Sequence, residues 1–160
     1  IFSNRSKEKV LEIMKDSRIG TYGVLSLVLI IFLNISIIKE LLILNSAFII
    51  VFPIVGRSSG LLCSSLSNYA RNDNTSLGKN FVVYCSFREL LIGLFFYFLF
   101  FFILLKKEMF LLSIVPLFVA FLLTKYFSKK IGGITGDIIG AVIELSQTFY
   151  LISSYIYFKN

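Results

Sequence analysis

Leu90-Leu91-Ile92-Gly93-Leu94-Phe95-Phe96-Tyr97-Phe98-Leu99-Phe100-Phe101-Phe102-Ile103-Leu104-Leu105 contains no charged side chain. Such a run has no polar stripe to turn toward water, and as a helix it bonds every backbone group within itself, the condition for crossing lipid. Working outward, comparable runs occupy Val24 to Ile38, Leu41 to Leu62, Phe110 to Leu123 and Thr135 to Tyr157. A hydrocarbon core takes roughly 17–25 helical residues, which these five runs match, the shorter ones marginally. Ahead of them, residues 6–16 read as a helix lying on the membrane surface: Ser6 caps it, and Val10, Ile13 and Met14 recur opposite Lys7, Glu8 and Lys9. The predicted fold class is therefore all-α, a polytopic membrane helix bundle of about five transmembrane helices with an N-terminal interfacial amphipathic helix, in one domain over 1–160.

Composition agrees. Hydrophobic residues make up 57% of the chain at a mean hydropathy of +0.87, above the roughly 45–50% of soluble domains. Lys and Arg outnumber Asp and Glu by 16 to 9, in such a chain first a signal of topology, so nucleic acid is a poor partner. Setting aside Arg57, which lies within a span, four of the 16 basic residues (Lys39, Lys106, Lys107, Lys159) fall on one side and eleven on the other. The positive-inside rule puts the eleven in the cytoplasm of a multi-pass cell-membrane protein, and with them the polar segments 16–23, 68–74 and 129–137. There is no histidine, and Cys63 and Cys85 form no CxxC. Zinc fingers, haem and His-dependent triads are excluded, and the thiols read as small buried hydrophobes. The chain opens at Ile1, without Met, in a polar segment with no visible signal peptide, which suggests a piece of a longer protein. Nothing in the composition decides against a homo-oligomer.

The chemistry-bearing residues gather at the predicted cytoplasmic face. Gly132-Gly133-Ile134-Thr135-Gly136-Asp137 follows Lys129 and Lys130 and runs into an apolar helix carrying Asp137 and Glu144. Helical spacing places Gly133, Asp137, Gly140 or Ala141, and Glu144 on one face. A charge in a membrane helix costs about 2.5–3.5 kcal/mol even on lenient scales, so such carboxylates belong against a polar interior. The same argument applies to Arg57, beside Pro53 and Gly56, where the second span is predicted to be interrupted. Arginine forks match phosphate oxygens, glycine turns expose N–H groups, and carboxylates suit magnesium, which together serve transfer of a phosphoryl-linked group. Plainer readings stand beside these. The small residues could form a helix-packing face, Lys129 and Lys130 could be membrane anchors, and Asp16 could end the surface helix. Tyr69 could be an ordinary interfacial tyrosine, and Glu144 could form a structural ion pair with Arg57.

Taken together, Lys15-Asp16-Ser17-Arg18-Ile19-Gly20-Thr21-Tyr22-Gly23, Gly56-Arg57, Tyr69-Ala70-Arg71 with Leu77-Gly78, and Gly132 to Asp137 with Gly140-Ala141 and Glu144-Leu145 resemble the cobalamin synthase family. The resemblance covers nearly the whole chain. It implies an adenosylcobinamide-GDP ribazoletransferase: a hydroxyl of α-ribazole, or of its 5′-phosphate, attacks the phosphate on adenosylcobinamide, GMP leaves, and Mg2+ assists. Carried onto this chain, it implies that Arg18, Arg57 and Arg71 hold phosphates and that Tyr69, Gly133 and Gly136 line the substrate site. It further implies that Asp137 is a metal or ribose partner, Asp16 a carboxylate on the metal side or behind the groups that touch the metal, and Glu144 an orienting group. The family's aspartate cluster of DGxxDxxDA type, the main metal site that the resemblance implies, is expected upstream of Ile1. These residues alone are therefore expected to be inactive, with Asp137 as their one candidate metal ligand. Asn68 stands where the family pattern has proline.

Two other classes compete. A CDP-alcohol phosphotransferase performs a similar displacement, but its aspartate signature does not occur here. A small transporter or assembly subunit would need a polar path through the outer face, where Leu90 to Leu105 and Phe110 to Leu123 offer none.

Overall fold

The computed structural model describes residues 6–16, 18–71, 77–105 and 110–159. The first five residues, beginning with Ile1, lie outside these, as do the polar stretch 72–76, Lys106 and Lys107. Among the described residues the chain is helical: α1 Lys7–Ile13, α2 Thr21–Leu44, α3 Ala47–Ser65, α4 Leu77–Tyr84, α5 Phe87–Leu104, α6 Phe110–Ile131 and α7 Gly136–Lys159. The sole extended pairing among them is an isolated parallel bridge between Tyr69 and Ile134.

Four helices, α2, α3, α5 and α6, are long and apolar enough to cross a membrane. The fifth expected span, α7, has the length at 24 residues but is not among those four. Its place in the bundle accounts for its mixed composition. α7 is central, packing on α2, α3, α4 and α6 as α3 packs on five helices, and it buries Ser146, Gln147, Thr148 and Ser154 where a peripheral helix would show apolar side chains to lipid. α2 and α5 are the reverse, with most of their apolar girth uncovered, as lipid-facing scaffold requires.

Local chemistry sets the helix ends. α1 begins at Ser6, whose hydroxyl accepts from the Lys9 N–H, and Val10 on its apolar edge is buried in one cluster with Ile131 and Ile134. α2 does not stop at Ile38: it carries Lys39 and Glu40, both good helix formers, on to Leu44. The turn comes at Asn45, whose Oδ1 accepts from the Ala47 N–H at 2.9 Å. α5 opens with a capping box of Ser86 and Glu89. α3 corrects the expected interruption, for it runs unbroken through Pro53 from Ala47 to Ser65. A proline costs a helix one hydrogen bond and a steric clash, and α3 bears that cost packed between α5, α6 and α7.

The buried residues form two clusters. One, with Leu62, Cys63, Phe127, Ile131, Ile134 and Ile138, lies under the turn between α6 and α7. The other lies further along the helices, where Phe48, Tyr97, Phe101 and Tyr150 pack. There the Phe101 and Tyr150 rings meet edge-on at 5.9 Å, and the Tyr97 hydroxyl donates to the Ser113 carbonyl at 2.7 Å. Both cysteines are free, Cys63 buried and Cys85 partly so.

Candidate active site

The site grows from the end of α6. Lys129 and Lys130 occupy its last turn, where cations offset the negative end of the helix dipole. Gly132 then takes φ +72°, and the Gly133 N–H donates back to the Ser128 carbonyl at 3.1 Å, the six-to-one bond of a left-handed helix stop. Gly133 itself has φ +152°, and a methyl group there would lie 2.5 Å from the Asn68 carbonyl oxygen. Only a bare backbone fits. The close approach allows two rungs, with the Ile134 N–H donating to the Asn68 carbonyl at 2.9 Å and the Ala70 N–H to the Ile134 carbonyl at 2.8 Å. Thr135 then caps α7, its hydroxyl accepting from the Ile138 N–H at 3.4 Å.

These rungs carry Arg71 to the start of α7. Its Nη2 lies 3.3 Å from Asp137 Oδ2, and Asp137 stands in the first turn of α7, where the helix dipole favours a carboxylate. Asp137 is thus an exposed group at a helix mouth. Gly133 lies in the turn before α7, so it does not share the helical face of Asp137, Gly140 and Glu144 that unbroken periodicity predicts. Gly78 of α4 sits against Gly136, a methyl group on it lying 3.0 Å from the Gly136 backbone, which seats α4 beside the same turn.

From this turn a groove runs between α3 and α7. One part, of about 340 Å³, is lined by Arg57, Gly60, Gly78, Phe81, Gly136, Ile139, Gly140 and Ile143. The next, of about 490 Å³, shares Arg57, Gly140 and Ile143 and adds Phe52, Pro53, Gly56, Glu144 and Gln147. A side-chain carbon at Gly140 would meet nothing within 4 Å, so α7 turns its small residue to open space and not to a packed helix. Arg57 and Glu144 face this groove without an ion pair within 4 Å among the described residues.

The structure therefore joins some of the expected site residues and separates others. Arg71, Tyr69, Gly133, Gly136 and Asp137 meet at the turn, and Arg57, Gly140 and Glu144 share the groove. Asp16 and Arg18 pair with each other, Nη2 to Oδ2 at 2.7 Å, and line neither part of the groove. The Arg18 side chain holds the Asp16 carboxyl below its ordinary range and is itself raised. Sequence reasoning passed over Gln147 and Phe81. An amide three residues past Glu144, and so on the same helical face, is the signal that marks Gln147.

The aspartate cluster expected upstream of Ile1 falls outside the described residues, as does Ile1 itself. The described residues do not form a carboxylate cluster that would hold magnesium without further ligands. Among the described residues no three of His, Cys, Asp and Glu gather, and one oxygen of Asp137 is engaged by Arg71.

What this arrangement can do chemically is hold and neutralise an anion at a helix mouth and along a groove that contains a guanidinium. Residues 1–155 match the family of cobalamin-5-phosphate synthase. The chain is 45% identical to the adenosylcobinamide-GDP ribazoletransferase of Clostridium acetobutylicum, over 100% of this chain and 64% of that protein. It is 40% identical to that of Acetivibrio thermocellus, over 98% and 63%, and 37% identical to that of Clostridioides difficile, over 98% and 64%. The chain thus spans somewhat under two thirds of the length of these relatives. No solved structure matches.

Proposed function

We propose, from the premise that this chain belongs to the cobalamin-5-phosphate synthase family, that it supplies part of the active face of a multi-pass membrane adenosylcobinamide-GDP ribazoletransferase. In this reading a hydroxyl of α-ribazole or its 5′-phosphate attacks the phosphorus bonded to adenosylcobinamide. The bond from that phosphorus to the oxygen of the GMP phosphate breaks, GMP leaves, and the hydroxyl proton is released, forming adenosylcobalamin or its 5′-phosphate. Arg57 and Arg71 take the phosphate oxygens, whose charge the transition state spreads. Asp137 accepts from a ribose hydroxyl, and Glu144 orients the substrate in the groove. Mg2+ would supply further charge neutralisation, and no step here is routed through it. The reading does not rest on Asp16 and Arg18. The turn faces the cytoplasm, in keeping with the eleven-to-four bias of Lys and Arg. Because the relatives named above are ribazoletransferases, the CDP-alcohol and transporter readings are not favoured.

The supporting observation is the tie between Asn68–Ala70 and Ile134, which brings Arg71 and Asp137 together beside the groove that holds Arg57. The test uses the full-length enzyme in membranes with adenosylcobinamide-GDP and α-ribazole 5′-phosphate, following the corrinoid product chromatographically. Arg57→Ala and Asp137→Ala should each remove turnover at unchanged membrane levels, and normal turnover of both overturns the reading.

A further inference from the structure

Gln147 is an amide between Ser146 and Thr148 on α7, and it is 7% exposed. Its Nε2 donates to the Phe52 carbonyl on α3 at 2.9 Å. A glycine lets it in: a methyl group at position 56 would lie 2.6 Å from Nε2. The bond therefore clips α7 to the one turn of α3 that contains Pro53 and leads into Arg57. Phe52 also lies in the turn that ends at Pro53, which donates no hydrogen bond to the Ile49 carbonyl four residues before it. With the side chain only 7% exposed, little water reaches the amide to compete for the bond. Pro53 and Arg57 are four residues apart and both line the groove, while Glu144 stands one turn before Gln147 on its opposite wall.

We infer that Gln147 is a positioning residue: by holding the Phe52–Gly56 turn against α7 it sets where the Arg57 guanidinium stands relative to the substrate phosphates. This deepens the proposed function and rests on the reading of Arg57 as a phosphate-binding group. A side chain that only packed would be replaceable by leucine of similar volume, whereas the clip needs the donor.

The experiment is a double-mutant comparison in the full-length enzyme, with Gln147→Leu made in the Arg57 background and in an Arg57→Lys background that retains measurable turnover. Membrane levels and detergent thermal midpoints are recorded for each. The inference expects Gln147→Leu to lower kcat/KM by about tenfold with arginine at 57 and by less than about twofold with lysine, because the geometry it protects has already been lost. Equal losses in both backgrounds, or none in either, overturn it. Where the leucine variant fails to accumulate, Gln147→Asn keeps the amide but falls a methylene short, and the same comparison decides. If Arg57→Lys and Arg57→Ala both turn over normally, the reading of Arg57 fails. If they are impaired while Gln147→Leu is silent, only the present inference fails.

Discussion

Arg71 and Asp137 lie 66 positions apart in the chain, yet Nη2 of one is 3.3 Å from Oδ2 of the other, with the Arg71 side chain only 16% exposed and that of Asp137 63%. The covered partner is the cation. Its Nε is buried and has no hydrogen-bond partner among the described residues, so its fork is fixed by packing while the carboxylate keeps a free edge. As a stabilising ion pair this contact is weak, about 0–1 kcal/mol at such exposure. The proposed function uses it instead as an oriented donor set.

Arg71→Lys is accordingly expected to fold and insert normally while losing about 10²–10³-fold in turnover, the scale seen when an oriented transition-state donor is removed. Steady-state kinetics beside a membrane blot check this, and a loss confined to protein level would assign Arg71 to folding alone.

Gly133→Ala places a methyl group 2.5 Å from the Asn68 carbonyl at φ +152°. Backbone strain alone costs about 1–3 kcal/mol, and the two rungs to residues 68–70 must open to relieve it. The expected result is loss of turnover together with faster proteolysis near residues 68–71. A variant with both unchanged would show that the bridge does not hold Arg71.

Gly140 separates an open groove from a packed helix face. With nothing within 4 Å of a side-chain carbon there, Gly140→Ala should be tolerated and gain about 0.5–1 kcal/mol of helix stability. Gly140→Phe fills the space beside Arg57 and should raise KM for the nucleotide-bearing substrate by at least about tenfold, with an unchanged melting midpoint. Were alanine already disruptive, another helix would cover this face in the working enzyme.

Tyr97→Phe tests the far cluster. It removes the 2.7 Å bond to the Ser113 carbonyl, worth about 1 kcal/mol, and should lower the midpoint by about 2–4 °C. Turnover per folded molecule should be unchanged.

Membrane class and helix content were legible because they follow from apolarity summed over long windows. The turn at Gly132 and Gly133 was legible too, since only glycine takes those backbone angles. The partner of Asp137 was not. The ion pair that charge suggested was Glu144 with Arg57, whereas the pairing of Asp137 with Arg71 is imposed by a backbone bridge between Tyr69 and Ile134, which leaves no periodic trace in side chains. Gly133 was misplaced because 3.6-residue spacing was carried back past the true start of α7 at Gly136. The continuity of α3 across Pro53 depends on the neighbours packed around it, none of which is adjacent in sequence.

The bridge between Tyr69 and Ile134 also sets a schedule for biogenesis. The ribosome releases the first of these residues long before the second, an interval of about 3–13 s at bacterial elongation rates of roughly 5–20 residues per second. During that interval α5 and α6 must be handed to the bilayer while the Asn68–Arg71 loop waits undocked, a window in which proteases and insertion factors see a chain whose Tyr69–Ile134 corner has yet to close.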